Sequence, residues 1–184
     1  MKQKIGILVA AAVFAGTVFA AGNPYTCSMR VGNPKTESKS SDSDSGGKRS
    51  SVQKTTMRRR MTWPVKVSFR GKEFPSDVKL QYVCVGNTDG TVAVLDRKSI
   101  KVALDEKGDF IIDIASPDAV LVKTKKRTGG RRGRVVSETK GSRIVGCVVQ
   151  LLVNGEVVRS FASKPTWAKC ARKTPLPEDE ILRL

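Results

Sequence analysis

The chain has 184 residues, with 34 Lys and Arg against 17 Asp and Glu, and a net charge of +17. It contains no histidine, which excludes Ser-His-Asp and Cys-His catalysis, histidine metal sites and histidine acid–base chemistry. It also lacks a G-x-S-x-G motif, a P-loop and a dinucleotide-binding fingerprint. We therefore expect a protein that is not an enzyme and that uses no cofactor.

Residues 1–21 have the three-part pattern of a secretory signal peptide. Two lysines precede an apolar run at residues 5–19, and small residues follow at the point where cleavage would fall, after Ala20 or Ala21. The alternative, an uncleaved membrane anchor, would need a longer and more apolar run. The pattern predicts a secreted or periplasmic protein.

Residues 22–61 are interpreted as a disordered linker. The middle of this segment consists of Ser, Asp, Gly and Lys and has almost nothing to bury. It ends in Arg58-Arg59-Arg60, which is either a solvated charge run or an aid to binding an anionic partner.

Residues 62–173 read as one all-β domain, an antiparallel immunoglobulin-like β-sandwich of seven to nine strands. Short alternating apolar segments are separated by turn clusters at regular intervals, and no useful window has a helical period. Strands are predicted at residues 65–69, 78–85, 91–95, 99–104, 109–114 and 119–123. The remaining residues, 174–184, are predicted to be a short solvated tail.

A β-hairpin at residues 143–163 is the clearest local signal in the chain. Asn154-Gly155 is the preferred pair for a type I′ turn, because both positions require positive φ. Apolar residues flank the turn, as in strands. A two-residue turn predicts that Val153 lies opposite Glu156, Leu151 opposite Val158, Gln150 opposite Arg159, and Cys147 opposite Ala162.

The four cysteines predict disulfides in an exported chain. Metal binding is disfavoured, because no two lie at C-x₂₋₄-C spacing. One pairing joins Cys84 to Cys147 across the sandwich core and Cys27 to Cys170. The other joins Cys147 to Cys170 and Cys27 to Cys84. The sequence leaves both open.

The positive charge is concentrated at residues 123–143, which hold nine basic residues and one acid. Within them, KTKKRTGGRRGR reads as a flexible loop that attracts phosphate or sulfate groups. The alternative is a loop kept basic only for solubility. The candidate anion-binding residues are Lys123, Lys125, Lys126, Arg127, Arg131, Arg132 and Arg134.

The segment VVQLLVNGEVVRSFASKPTWAKCA resembles the C-terminal end of uncharacterised exported bacterial domains with an immunoglobulin- or fibronectin-III-like sandwich. The resemblance covers mainly residues 144–171. It implies a fold but no function, and no binding residue carries over. The chain departs from a typical immunoglobulin domain because no Trp follows Cys84 by about a dozen residues.

Three functional hypotheses follow. The first is a binding module whose basic loop contacts an anionic glycan, lipid headgroups or an acidic protein. Single-stranded nucleic acid is less favoured, because the loop has no interleaved aromatics. The second is a homo-oligomer or cell-envelope subunit that assembles through the outer face of the hairpin, at Ile144, Val148, Leu152, Val157 and Phe161. The third, and least favoured, is a small hydrolase that uses carboxylates such as Asp105, Glu106, Asp109 and Asp113.

Overall fold

The computed structural model describes residues 25–47, 50–128 and 134–183. Within these ranges the strands pair antiparallel throughout, which confirms the all-β prediction. The elements in order are β1 (Tyr25–Val31), β2 (Lys35–Gly47), β3 (Ser50–Gly71), β4 (Val78–Thr88), β5 (Thr91–Lys101), β6 (Asp109–Ala115), β7 (Ala119–Thr128), β8 (Arg134–Val153), β9 (Glu156–Ala162), two 3-10 turns (Pro165–Trp167 and Cys170–Arg172) and a short helix α1 (Glu178–Arg183). The predicted signal peptide lies outside the described residues.

The longest strand, β3, has two halves with different neighbours. Its C-terminal half pairs with β1 on one side and β6 on the other. Its N-terminal half pairs with β2 and β7. Since β1 leads into β2 and β6 leads into β7, β3 is a central strand along most of its length.

The C-terminal half of β3 packs against a second sheet with the order β5-β4-β8-β9. Side chains from both sheets meet in one buried apolar cluster, as in a β-sandwich. The cluster includes Trp63, Val65, Val67 and Phe69 from β3, Leu80 and Tyr82 from β4, and Val149 and Leu151 from β8. Burying one such aliphatic or aromatic side chain stabilises the fold by about 1.5–3 kcal/mol.

The C-terminal segment covers the other face of this second sheet. Trp167, Leu176 and Ile181 are buried against Val148 in a separate apolar cluster. The Gln150 side-chain amide is buried beneath the segment and donates hydrogen bonds to the carbonyls of Ala171 and Lys173, at 3.0 and 2.7 Å. The second sheet is therefore covered on both faces.

This packing corrects two predictions. The solvated tail is wrong, because Leu176 and Ile181 are 4% and 0% exposed. The apolar outer face of the hairpin is not available for assembly, because Val148 and Leu152 are 0% and 4% exposed. Both errors have one cause. The hairpin and the C-terminal segment each supply the apolar surface that the other buries, and this contact is not visible in either segment alone.

Beyond the sandwich, the first sheet continues as a four-stranded extension with the order β2-β3-β7-β8. We call this extension the arm, and it comprises residues 35–47, 50–61, 119–128 and 134–141. Every side chain of residues 35–45 is exposed, as is every one of residues 134–140. The arm therefore projects from the core with its outer strands in solvent.

The linker prediction for residues 22–61 is wrong for the residues described. Residues 25–31 lie in β1, residues 35–47 form β2, and residues 50–61 belong to β3. Polar composition correctly indicates that little of the segment is buried. It does not report main-chain pairing, which satisfies backbone N–H and C=O groups whatever the side chains are.

The hairpin turn is confirmed, with φ values of +52° at Asn154 and +84° at Gly155. Val153 lies opposite Glu156 as predicted, but the register shifts by one residue beyond Leu152. Leu151 then lies opposite Arg159 rather than Val158, Gln150 opposite Ser160, and Val148 opposite Ala162. The bulge allows both Val158 and Phe161 to pack against the sandwich core, which regular alternation would forbid for residues three apart.

Most other strand predictions are confirmed, and the differences involve charged residues. The strands predicted at residues 91–95 and 99–104 form the single strand β5, bulged at Leu95. The predicted break fell on the charged segment 96–98, which β5 accommodates because it is an edge strand with an exposed side. Strand β7 extends to Thr128, five residues beyond its predicted end.

All four cysteines are free thiols in this structure. Cys84 and Cys147 both face the sandwich core, as expected, but they lie directly opposite each other on neighbouring strands of one sheet. A bridge between them would not cross the core. Cys27 contacts the sandwich cluster, whereas Cys170 lies in the cluster on the far side of the second sheet. That separation rules out the Cys27–Cys170 pairing in this arrangement.

The bend by which β8 leaves the arm and enters the second sheet occurs at Gly141. Its φ is +118°, and a Cβ atom there would collide with the carbonyl oxygen of Val120. The bend is held by Asp89, at the tip of the β4–β5 hairpin. The Gly141 N–H donates to the Asp89 Oδ1 at 2.7 Å, and the Asp89 N–H donates to the Gly141 carbonyl at 3.1 Å.

We expect Gly141→Ala to destabilise the protein by about 3 kcal/mol or more, because it adds a main-chain collision to an unfavourable φ. Gly90→Ala is the matched control. Gly90 also has positive φ, at +93°, but has open space around it, so only the cost of about 1–2 kcal/mol for the backbone conformation applies. Urea unfolding of the two variants measures the difference, and equal losses would contradict the proposed role of the bend.

Candidate anion-binding surface

The register of the arm assigns each of its side chains to one of two faces. Residues directly opposite each other in antiparallel strands share a face, and neighbours along a strand alternate. Lys39 lies opposite Arg58, and Val52 lies opposite Lys126. Even-numbered residues of β3 therefore share one face with even-numbered residues of β7 and β8 and with odd-numbered residues of β2.

One face carries most of the positive charge, and we call it the basic face. Its eight cations are all exposed, and two carboxylates reduce its net charge to +6. The cations are Lys35, Lys39, Lys54, Arg58, Arg60, Lys126, Arg134 and Lys140, and the carboxylates are Glu37 and Glu138. The opposite face has a net charge of +2, from Arg59, Lys123, Lys125 and Arg127 against Asp42 and Asp44.

The predicted basic loop is divided by this geometry. Lys123 to Arg127 lie in β7, not in a loop, and the strand alternation sends Lys126 to the basic face and its two neighbours to the other. Arg134 begins β8 and joins the basic face. Arg131 and Arg132 lie outside the described residues. The glycines that suggested a flexible loop begin at residue 129, so they say nothing about the preceding strand.

The sequence reasoning missed the cations that β2 and β3 contribute to the basic face. Lys39, Lys54 and Arg58 fall in the segment whose polar composition predicts a linker. The alternation of Arg58 with Arg60 is compatible with a strand, but alternation within one strand does not identify its neighbours. The pairing of β3 with both β2 and β7 brings these cations beside Lys126.

Like charges lie directly opposite each other on the basic face. Lys39 and Arg58 are cross-strand partners, an arrangement that destabilises strand pairing. Lys39, Lys54 and Arg58 make no ion pair within the part of the chain that the structure describes. An anion bound over this pair would remove the repulsion, so the surface favours a negatively charged ligand.

The edges of the basic face are partly neutralised. Lys140 Nζ lies 2.7 Å from Glu138 Oε1, and this hydrogen-bonded pair lowers the pKa of Glu138 and raises that of Lys140. Arg60 Nε lies 3.5 Å from Asp118 Oδ1. The least compensated charge therefore lies in the middle of the arm.

The basic face is the exposed side of a four-stranded sheet. Between the cations it carries small hydroxyl side chains, including Ser41, Ser43 and Thr56. At about 3.3 Å per residue and about 4.8 Å between strands, the face measures roughly 35 by 15 Å. This shape fits an extended polymer or a surface, not an enclosed small molecule.

Two of the four carboxylates in the hydrolase hypothesis, Asp105 and Asp109, have structural partners. Asp105 Oδ1 accepts hydrogen bonds from the backbone N–H groups of Lys107 and Asp109, at 2.9 and 2.7 Å, and so stabilises a turn. Asp109 lies 3.0 Å from Lys66 Nζ and 2.8 Å from Arg70. Lys66 and Arg70 continue the basic face along β3, and Asp109 neutralises this end of it.

The thiols of Cys84 and Cys147 are buried in the sandwich core. Burial raises the pKa of the Cys84 thiol to about 12 and raises that of Cys147 well above its ordinary value. Such thiols stay protonated at neutral pH and are poor nucleophiles. In the described ranges, no group of three or more His, Cys, Asp or Glu side chains is placed to hold a metal ion.

Comparisons with known proteins add no assignment. No protein-family model matches the chain, and no curated protein matches it significantly. Among the described residues, no helix is long and apolar enough to cross a membrane.

Protonation of Asp109 is expected to contribute to the loss of stability in acid. Hydrogen bonds from Lys66, Ser68 and Arg70 hold the pKa of this carboxyl well below its ordinary value. Its stabilising contribution is therefore complete above about pH 4, the ordinary aspartate range, and is lost as the pH falls through the depressed pKa. We expect Asp109→Asn to lower the free energy of unfolding at neutral pH and to converge on the wild type in acid.

Urea unfolding at a series of pH values from about 7 down to about 2 tests this expectation. Asp113→Asn is the control, since Asp113 lies on the same strand, is exposed, and has no ion pair among the described residues. A gap between Asp109→Asn and the wild type that stays constant down to the lowest pH would refute the assignment.

Proposed function

We propose that this protein is an exported, non-enzymatic binding module that uses the basic face of the arm to hold an anionic polymer or surface. The observation that carries the proposal is the net charge of +6 on one exposed sheet face, where Lys39, Lys54 and Arg58 make no ion pair among the described residues. Exposed Lys and Arg bind phosphate and sulfate groups by charge and by releasing condensed counterions.

The ligands that fit best are acidic glycans and anionic lipid headgroups. Both present repeated negative groups over tens of ångströms, comparable with the length of the arm. Single-stranded nucleic acid fits less well, because residues 35–61 and 119–141 contain no aromatic side chain on which a base could stack. An acidic protein remains an alternative partner with the same charge requirement.

Export is part of the proposal and rests on residues 1–21. A chain that leaves the cytoplasm through this signal would meet glycans and lipid headgroups rather than nucleic acid. A relationship to immunoglobulin- or fibronectin-III-like domains is also proposed, from the resemblance of residues 144–171. It concerns the scaffold and not the ligand.

The binding surface is tested by neutralising one face of the arm at a time. We expect the variant with Lys39, Lys54, Arg58 and Lys126 all changed to Thr to bind heparin and anionic vesicles at least about tenfold more weakly. The slope of log K against log salt should also become shallower by roughly three, since each lost contact removes about 0.7–0.9. Threonine keeps the strand propensity of these positions.

The matched control changes Arg59, Lys123, Lys125 and Arg127 to Thr. It removes the same four charges from the same arm, but from the opposite face. We expect a much smaller loss of binding, measured by titration at several salt concentrations. Equal losses in both variants would mean that only net charge matters, and unchanged binding in the first variant would reject the proposal.

A further inference from the structure

One edge of the arm has backbone groups without partners. Residues 134–140 of β8 pair with β7 on one side, and no strand in the described ranges pairs with the other side. Gly141 shows which groups face outward, because its N–H and C=O both point to Asp89 and away from β7. Backbone groups of alternate residues point the same way along a strand, so those of Val135, Ser137 and Thr139 also face outward.

This edge exposes apolar β-branched side chains beside its charged residues Arg134, Glu138 and Lys140. Val135 and Val136 are 59% and 50% exposed, on opposite faces at the same point of the edge. The other edge of the arm, β2, presents only Lys, Glu, Asp, Ser, Thr and Gly. Charged and polar edges resist association, whereas exposed β-branched residues on a free strand favour it.

We propose that the β8 edge of the arm pairs antiparallel with the same edge of a second copy of this chain. The two-fold axis passes between Val136 and Val136 of the second copy. Val135 then lies opposite Ser137 of the second copy, and the reverse pair forms by symmetry. Each of these pairs exchanges two backbone hydrogen bonds through the groups that face outward in the monomer.

Charge complementarity selects this register. With Val136 on the axis, Arg134 lies opposite Glu138 of the second copy, and Glu138 lies opposite its Arg134. Both are non-hydrogen-bonded pairs, in which opposite side chains approach most closely. Moving the axis to Ser137 would place Arg134 against Lys140 and Val136 against Glu138. Only the register centred on Val136 pairs opposite charges on both sides of an apolar centre.

The dimer has a consequence for the shape of the anion-binding surface. A two-fold axis perpendicular to the sheet keeps both basic faces on the same side of a continuous eight-stranded sheet. Repulsion between the two faces opposes association, so the contact is weak in the free protein and is strengthened by a polyanion that spans both arms. The pairing itself does not depend on the proposed ligand.

The pairing is tested with variants in which the charges at positions 134 and 138 are reversed singly and then swapped. Their dimerisation is measured by sedimentation velocity over a range of protein concentrations. We expect the wild type to dimerise, and Arg134→Glu and Glu138→Arg each to raise the dimer dissociation constant by about tenfold or more, because each places like charges opposite each other twice. The double variant restores opposite charges and should dimerise like the wild type. Its recovery attributes the loss in the single variants to charge pairing, and the far-UV circular dichroism spectra of the single variants check that they fold.

Two further variants distinguish an effect on the β8 edge from an effect of the protein's overall charge. Lys101→Glu makes the same charge change as Arg134→Glu on the exposed strand β5, outside the arm, and should leave dimerisation unchanged. Val135→Pro removes an outward N–H that β7 does not use, and should abolish it. A wild type that stays monomeric at all concentrations, a double variant that does not recover, or a dimer indifferent to Val135→Pro would each overturn the proposal.

Discussion

The main-chain hydrogen bonding of β3 is the constraint on which the rest of the structure depends. This strand of 22 residues is flanked on both sides along most of its length, so nearly every backbone donor and acceptor on it has a strand partner. In its C-terminal half, burial of Trp63 and Val65 adds to that pairing. In its N-terminal half there is little to bury, and pairing with β2 and β7 maintains the strand.

The alternation of β3 links the core to the candidate binding surface. Odd-numbered residues such as Val67 and Phe69 face the sandwich core. Even-numbered residues face away from it, and the same parity places Lys54 and Arg58 on the basic face of the arm. Changing the register of β3 by one residue would bury the wrong side chains and turn these cations to the other face. Core packing therefore fixes the distribution of charge on the arm.

Which other surfaces are exposed depends on which strand faces and edges are covered by the rest of the chain. The C-terminal segment occupies the outer face of the second sheet, which removes an apolar surface that would otherwise suggest assembly. The Asp89–Gly141 contact sets the point at which β8 leaves the arm. Residues 142–153 of β8 pair with β4, whereas residues 134–140 have a strand partner on one side only among the described residues. Binding through a face and association through an edge are therefore compatible on one arm.

The sequence by itself determined the features that depend on neighbours along the chain. These are the all-β class, the Asn154-Gly155 turn, the alternating apolar strands β4 and β6, and the total charge of residues 123–143. Only the tertiary structure decided which polar segments are strands, how the cations divide between two faces, and what covers Val148. The reason is that polar strands are held by backbone partners distant in sequence, and side-chain composition carries no record of which partners those are.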